Sequence, residues 1–231
     1  MAMDSCNRPL IVTCVNAQNY LGRGQEYVEC LHRAVRTHLK LPHEFWCFTD
    51  DGTAYADGIT KQPLPRSSLQ GWWHKLSLFA PGIMPEDARV LYLDLDTLIV
   101  GGLDEIASYD GEHARLGPFF ANVKPEFSGP QSGVMAWRGG FGEHIWQTYV
   151  NVGFPDLPGG DQKFLNQVQP ACDLWQEMFP GAVVSFKGTG GAEPKGETKI
   201  VCFHGKPRPH EVTLGWVPHI WKSDRTSALA A

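Results

Sequence analysis

Short apolar runs alternate with helical periodicity along most of the chain. Leu10-Ile11-Val12-Thr13-Cys14-Val15 is apolar at nearly every position and ends in a polar turn over 16–20, the pattern of a strand buried on both faces. Behind Gly22-Arg23-Gly24, residues Val28, Leu31, Val35 and Leu39 recur at three- and four-residue spacing, which predicts a helix ending before Pro42. Residues 45–50 read as a second strand, closed by Asp50-Asp51-Gly52. Strand, crossover helix and strand in that order predict parallel pairing. A third strand is expected over 59–64, and a helix over 72–79 that stops at Pro81-Gly82.

The stretch Arg89-Val90-Leu91-Tyr92-Leu93-Asp94-Leu95-Asp96-Thr97-Leu98-Ile99-Val100 begins as one more buried strand, with two carboxylates at that strand's carboxyl end before the chain turns apolar again. Alternate strand residues point the same way, so Asp94 and Asp96 can face one site. A short helical turn is expected over 101–106, a strand over 133–137 and a helix over 143–150. A second helix starts at Gly159-Gly160-Asp161, with Asp161 as its N-cap, and runs through Phe164, Leu165 and Val168. Late strands are expected at 183–186 and 200–203, joined by a polar, glycine-rich loop over 187–199. The fold class is α/β: one Rossmann-like domain over 8–222, its central sheet mostly parallel and flanked by helices, with a frayed tail over 223–231.

Composition narrows the function classes. The chain has 231 residues, 42% of them hydrophobic and 19% charged, which is ordinary for a folded domain and unlike a disordered one. A net charge of −5 and the lack of any Lys/Arg-rich run give no footprint for nucleic acid. No apolar stretch approaches the ~20 residues of a membrane helix, so no transmembrane segment is expected. Met1-Ala2-Met3-Asp4-Ser5 does not read as a signal peptide. Six cysteines without Cys-x-x-Cys spacing point to a reduced, cytoplasmic protein.

Ligands bind beyond the carboxyl ends of strands in open α/β sheets, and a carboxylate pair there suits a divalent cation with a phosphate-bearing substrate. Three other segments carry complementary chemistry: Trp72-Trp73-His74-Lys75-Leu76, Gly160-Asp161-Gln162-Lys163 at a helix start, and Phe203-His204-Gly205-Lys206-Pro207 after a late strand. Taken in order with Asp94-Leu95-Asp96, they resemble the GT-A-fold glycosyltransferases of the glycogenin and bacterial lipooligosaccharide galactosyltransferase type. The likeness spans about residues 10–210.

That resemblance implies a GT-A domain and a metal-dependent glycosyltransferase that uses a nucleotide-sugar donor, UDP-linked, and retains anomeric configuration. Asp94, Asp96 and His204 would hold Mn²⁺, with Mg²⁺ the alternative. Asp94, Lys75 and Lys206 would contact the donor and its diphosphate, and Asn19-Tyr20 would form the base-binding turn, with Tyr20 stacking on uracil. Asp161 would bind sugar hydroxyls, and Gln162 would lie beside the reacting carbon. The acceptor would be a carbohydrate, lipid-linked or protein group. The chain departs from the pattern at Gln131 in Gln131-Ser132-Gly133, at Ala17 and Gln18, at Lys163, and at Arg208, where an aromatic is usual.

Two other classes share some of these features. In haloacid-dehalogenase-type phosphohydrolases a threonine follows the first Asp by four residues, but Leu98 holds that position here and a strand-helix-strand unit precedes the motif. A non-catalytic carbohydrate- or nucleotide-sugar-binding module fits the eight tryptophans, yet would have no need of Asp94, Asp96, His204 and Lys206 together. Trp72, Trp73, Trp137 and Trp146 read as core residues.

Overall fold

Strand β1 (Leu10–Asn16) lies inside a seven-stranded sheet, third from one edge, and the chain builds outward from it in both directions. A computed structural model describes residues 8–119 and 129–222; Cys6 and the tail expected over 223–231 lie outside them. Helix α1 (Gly24–His38) crosses over to β2 (Glu44–Thr49), and β3 (Ile59–Pro63) extends that edge. A 3-10 segment (Gly71–Phe79) then brings the chain back to β4 (Arg89–Leu93), on the other side of β1. β1 pairs in parallel with both β2 and β4, and β2 with β3. β7 (Gln131–Arg138) is antiparallel to β4 and to β6 (His113–Leu116), which pairs in parallel with β8 (Asp173–Leu174).

Alternation along these strands supplies two cores. Leu10, Val12 and Cys14 of β1, Leu91 and Leu93 of β4, and Val134 and Ala136 of β7 face α1 and its neighbours. The intervening Ile11, Val90, Tyr92, Met135 and Trp137 face the 3-10 segment, α3 (Glu143–Asn151) and α4 (Gly160–Val168). A sheet covered on both faces needs apolar side chains at successive positions, which is why β1 and β4 read as nearly continuous apolar runs.

Three expectations change on meeting the structure. The strand ends at Leu93, so Asp94 and Asp96 lie in a turn beyond it rather than on alternate strand positions: Thr97 N–H donates to the Asp94 carbonyl at 3.1 Å, closing a turn over Asp94-Leu95-Asp96-Thr97. The chain then enters β5 (Thr97–Ile99) of a second sheet, ordered β5-β10-β9, with β9 (Val183–Ser185) and β10 (Ile200–Cys202). The segment over 72–79 winds as a 3-10 helix, whose three-residue repeat puts Trp73, Leu76 and Phe79 in one core and turns Trp72 and Lys75 to a different side. Asp161 is not the N-cap of α4. Gly159 at φ 94° takes that position, and Asp161 lies inside the first turn with its carboxylate used elsewhere.

Short elements escaped the sequence pattern, namely β6, β8, α2 (Asp104–Ala107), α5 (Trp175–Met178) and α6 (Val217–Lys222), although a helical turn was expected close to α2. β6 carries Arg115, fully buried, whose guanidinium donates to Asn166 Oδ1 at 2.9 Å and to the Gln169 carbonyl at 2.8 Å. A charged residue in mid-strand hides the strand from hydropathy, while its partners hold the end of α4 against the sheet.

His113, also on β6, is buried against Phe79 and Phe141, and neither ring nitrogen has a hydrogen-bond partner. Burial, then the charge of Arg115, pushes its pKa down to about 3. A base whose folded pKa lies below its unfolded value adds stability above the unfolded value and loses it as pH falls. Folding stability should therefore drop below about pH 6.5, with a slope of up to about 1.4 kcal/mol per pH unit from this group. Urea midpoints measured at pH 7.5 and 5 should differ less in His113→Leu than in wild type; an equal difference would show that His113 does not carry the acid sensitivity.

Candidate active site

The chain runs outward from β1 to β3 and then returns to β4, so the carboxyl ends of β1 and β4 flank a topological switch point. Both ends turn sharply there. After β1, Gln18, Asn19 and Leu21 all take left-handed φ, at 55°, 49° and 54°, a conformation that costs an L-residue about 1–2 kcal/mol. Side chains hold this turn in place. Asn16 Oδ1 accepts from the Tyr20 N–H at 3.0 Å, and Asn19 Oδ1 from the Gly24 N–H at 2.8 Å. After β4 comes the Asp94–Thr97 turn, anchored by the Asp94 N–H donating to the Gly133 carbonyl of β7 at 2.8 Å.

These turns border a cavity of about 890 Å³, within the range of small-molecule sites. It brings together Tyr20, Lys75, Asp94, Asp96, Asp161, Gln162 and His204. The two remaining expected residues stand apart. Asn19 borders an adjacent hollow of about 830 Å³ with Asp50, Asp51 and Gly52. Lys206 points outward, its side chain 88% exposed and 4.0 Å from Glu211.

Lys75 is the hub. Its Nζ lies 3.0 Å from Asp94 Oδ1 and 3.3 Å from Asp161 Oδ2, and donates to Ser132 Oγ at 3.3 Å. Ser132 in turn donates to Asp161 Oδ2 at 2.7 Å, and Tyr92 OH donates to Asp94 Oδ1 at 2.8 Å. Burial works against the charge on Lys75, but Asp161 and then Asp94 outweigh it and raise the pKa above the usual lysine value. The ammonium is therefore charged across the physiological range. Ser132 and Tyr92 were not expected as site residues. Tyr92 has the same strand parity as Asp94, and that was the available signal.

Asp96 sits in a second cluster. Arg208 Nη1 forms an ion pair with Asp96 Oδ2, and Tyr20 OH donates to the same oxygen at 3.3 Å. Arg208 also lies over the Tyr20 ring, 5.8 Å from its centroid, on the ring that the resemblance reserves for a base. Burial and the nearby charge of Asp94 push Asp96 up to about 6, against the pull of Arg208 and Lys75. His204 packs against Phe119, and burial, followed by Lys187 and Arg208, lowers its pKa to about 4. It is a neutral imidazole at pH 7, the form in which histidine ligates metals.

Two carboxylates and a neutral imidazole are a donor set that suits Mn²⁺. Among the described residues, however, no three His, Cys, Asp or Glu side chains converge closely enough to hold a metal ion as they stand. The donors fit by type, and Arg208 on Asp96 is what an incoming cation would have to displace.

At the mouth of the cavity Trp72 is 57% exposed, so it is not a core residue, unlike Trp73, which stacks on Tyr149. Gly160, at φ 63°, lets the indole lie on the first turn of α4. A Cβ there would sit 2.5 Å from Trp72 Nε1.

The fold has known counterparts. GlyE of Streptococcus pneumoniae TIGR4, a glycosyltransferase, superposes with a TM-score of 0.68 at 16% identity, covering 94% of this chain and 60% of GlyE. The galactosyltransferase LgtC, solved with donor and acceptor sugar analogs, gives a TM-score of 0.64 at 13% identity over 94% of this chain and 96% of LgtC. The chain has the GT-A glycosyltransferase fold. No family profile matches it. Over 137 residues it is 25% identical to Seizure protein 6 of Mus musculus, a match covering 52% of this chain and 13% of that protein. The chain thus spans three fifths of GlyE and about an eighth of that curated relative.

Removing Lys75 leaves Asp94 and Asp161 without their shared cation. Lys75→Met should lower stability by about 3–5 kcal/mol at pH 7.5, the penalty for breaking a buried ion pair from one side. Ser132→Ala should cost about 1–3 kcal/mol. Equilibrium urea unfolding measures both, and a Lys75→Met protein as stable as wild type would remove the lysine from the centre of the network.

Proposed function

We propose that the protein is a metal-dependent glycosyltransferase that moves a sugar from a nucleoside-diphosphate sugar, with UDP as the nucleotide, to a carbohydrate, lipid-linked or protein acceptor, with retention. The observation that carries this reading is the convergence, in one cavity at the switch point of a GT-A fold, of Asp94 and Asp96 with Asp161, Gln162 and His204. LgtC has been solved as an active-site mutant with glutamine replaced by glutamate, which supports a role for Gln162 beside the transferred sugar.

The chain's own residues divide the work. Lys75 holds Asp94 and Asp161 in place, so Asp161 can accept hydrogen bonds from sugar hydroxyls without reorganising. Gln162, next along α4, lines the same wall and can orient the sugar through its amide. Departure of the nucleoside diphosphate builds negative charge on its β-phosphate. Lys187 and Arg208, which line the cavity, can meet that charge. A divalent ion held by Asp94, Asp96 and His204 would, when bound, offset the same charge by up to several kcal/mol.

Among the described residues no helix is long and apolar enough to cross a membrane, and Cys14, Cys30, Cys47, Cys172 and Cys202 are free thiols. A reducing, cytoplasmic setting is part of the same reading.

A panel of nucleotide sugars with and without Mn²⁺ tests the proposal by release of nucleoside diphosphate. UDP-sugars should be hydrolysed with Mn²⁺, and Asp96→Ala and His204→Ala should each cut that release by about 100-fold or more. Equal turnover in either variant would remove that residue from the metal set. Equal turnover in EDTA would end the metal dependence.

A further inference from the structure

The loop after β10 brings a cation to the carboxylate pair, and it is not the lysine that the resemblance points to. Lys206 faces solvent, whereas Arg208, two residues on, reaches Asp96. Each carboxylate of Asp94-Leu95-Asp96 therefore already has a basic partner, and the two partners differ in kind. Lys75 is held from four sides by Asp94, Asp161, Ser132 and the Tyr92 ring. Arg208 comes from a loop, its side chain is 24% exposed, and its contacts in the cavity are Asp96 and the Tyr20 ring. A guanidinium carries five N–H donors in a planar fork that matches paired phosphate oxygens. Asp96 is almost fully buried, and a buried carboxylate left without a cation is strongly unfavourable. It must be compensated by Arg208 or by something else.

Resting on the nucleotide-sugar reading above, we propose that Arg208 is an exchange residue: its guanidinium neutralises Asp96 before the donor binds, then transfers to the donor's diphosphate and frees Asp96 for a divalent cation. Arg208 and the cation compete for one carboxylate, so Arg208 opposes metal binding when no nucleotide is present. The diphosphate removes the competitor, so nucleotide and metal each favour the other by the same factor. Lys206, outside the cavity, takes no part.

Calorimetric titration of the full chain with Mn²⁺ alone, UDP alone and each in the presence of the other separates the outcomes. Arg208→Gln should bind Mn²⁺ alone ~10-fold more tightly and UDP ~10-fold more weakly, with the cooperativity between them reduced. Arg208→Lys should retain part of both effects, and Lys206→Gln should stay within about twofold of wild type. An arginine with a purely structural role would change both affinities in the same direction or neither, and opposite signs exclude it. If wild type binds UDP and Mn²⁺ cooperatively but Arg208→Gln binds Mn²⁺ no more tightly, or UDP no more weakly, the exchange is wrong and the donor reading stands. If wild type binds none of UDP, GDP, ADP or CDP with Mn²⁺ present, the donor reading falls and the exchange falls with it.

Discussion

A single buried ammonium decides how this cavity is built. Lys75 lies among Asp94, Asp161 and Ser132 with only 9% of its side chain exposed, where an isolated charge could not persist. The arrangement is stable because the lysine and its two carboxylates are desolvated together and hydrogen-bonded on several sides. That requirement ties three parts of the chain to one point. The 3-10 segment contributes Lys75, the turn after β4 contributes Asp94, and the first turn of α4 contributes Asp161, with Ser132 of β7 between them. None of these elements can shift alone without leaving a charge unpaired.

The topology places that point where a ligand can reach it. β1 and β4 are parallel neighbours although β2 and β3 lie between them in sequence, so their carboxyl ends open onto a shared crevice. The antiparallel β7 closes one side, since the Gly133 carbonyl accepts from Asp94 N–H and Ser132 lies next to it. The turn over Asp94–Thr97 then passes the chain into the second sheet, whose β10 ends at Cys202, just ahead of His204 and the Arg208 loop. The same turn therefore presents the carboxylates and links the two sheets. This explains why residues more than a hundred positions apart meet at Asp96.

Much of this was legible in the sequence because long apolar runs and helical spacing are local signals. β1, α1, β2 and α3 fall within a residue or a few of their expected bounds, and the order of Lys75, Asp94, Asp161 and His204 was enough to point to the fold. What stayed hidden depends on non-local partners. From Leu93 to Thr97 the two aspartates alternate with Leu95 as polar and apolar residues do along a strand, and the turn is hidden because Leu95 is itself buried in it. A 3-10 winding and an α-helix bury similar residues over two turns, so the side to which Trp72 and Lys75 point could not be read from spacing alone. Lys206 and Arg208 are equally basic in sequence. Only the path of the loop, with the Arg208 N–H donating to Glu211 Oε2 at 2.7 Å, sends one outward and the other to Asp96.

Charge balance links the site to the reaction proposed for it. Among the described residues the cavity is lined by three acidic side chains, Asp94, Asp96 and Asp161, and three basic ones, Lys75, Lys187 and Arg208, while His204 is neutral at pH 7. The site as built is therefore electrically even, and it is partly shielded from water. A diphosphate entering it adds negative charge that Lys187 alone meets only in part, unless an existing ion pair opens. Opening Lys75 would expose two carboxylates at once and dismantle the network that positions Asp161. Opening Arg208 exposes only Asp96, and a divalent ion restores that balance with charge to spare for the phosphates. On electrostatic grounds the pair that can be given up is the one made by the loop residue, and the pair that must be kept is the one made by the buried lysine.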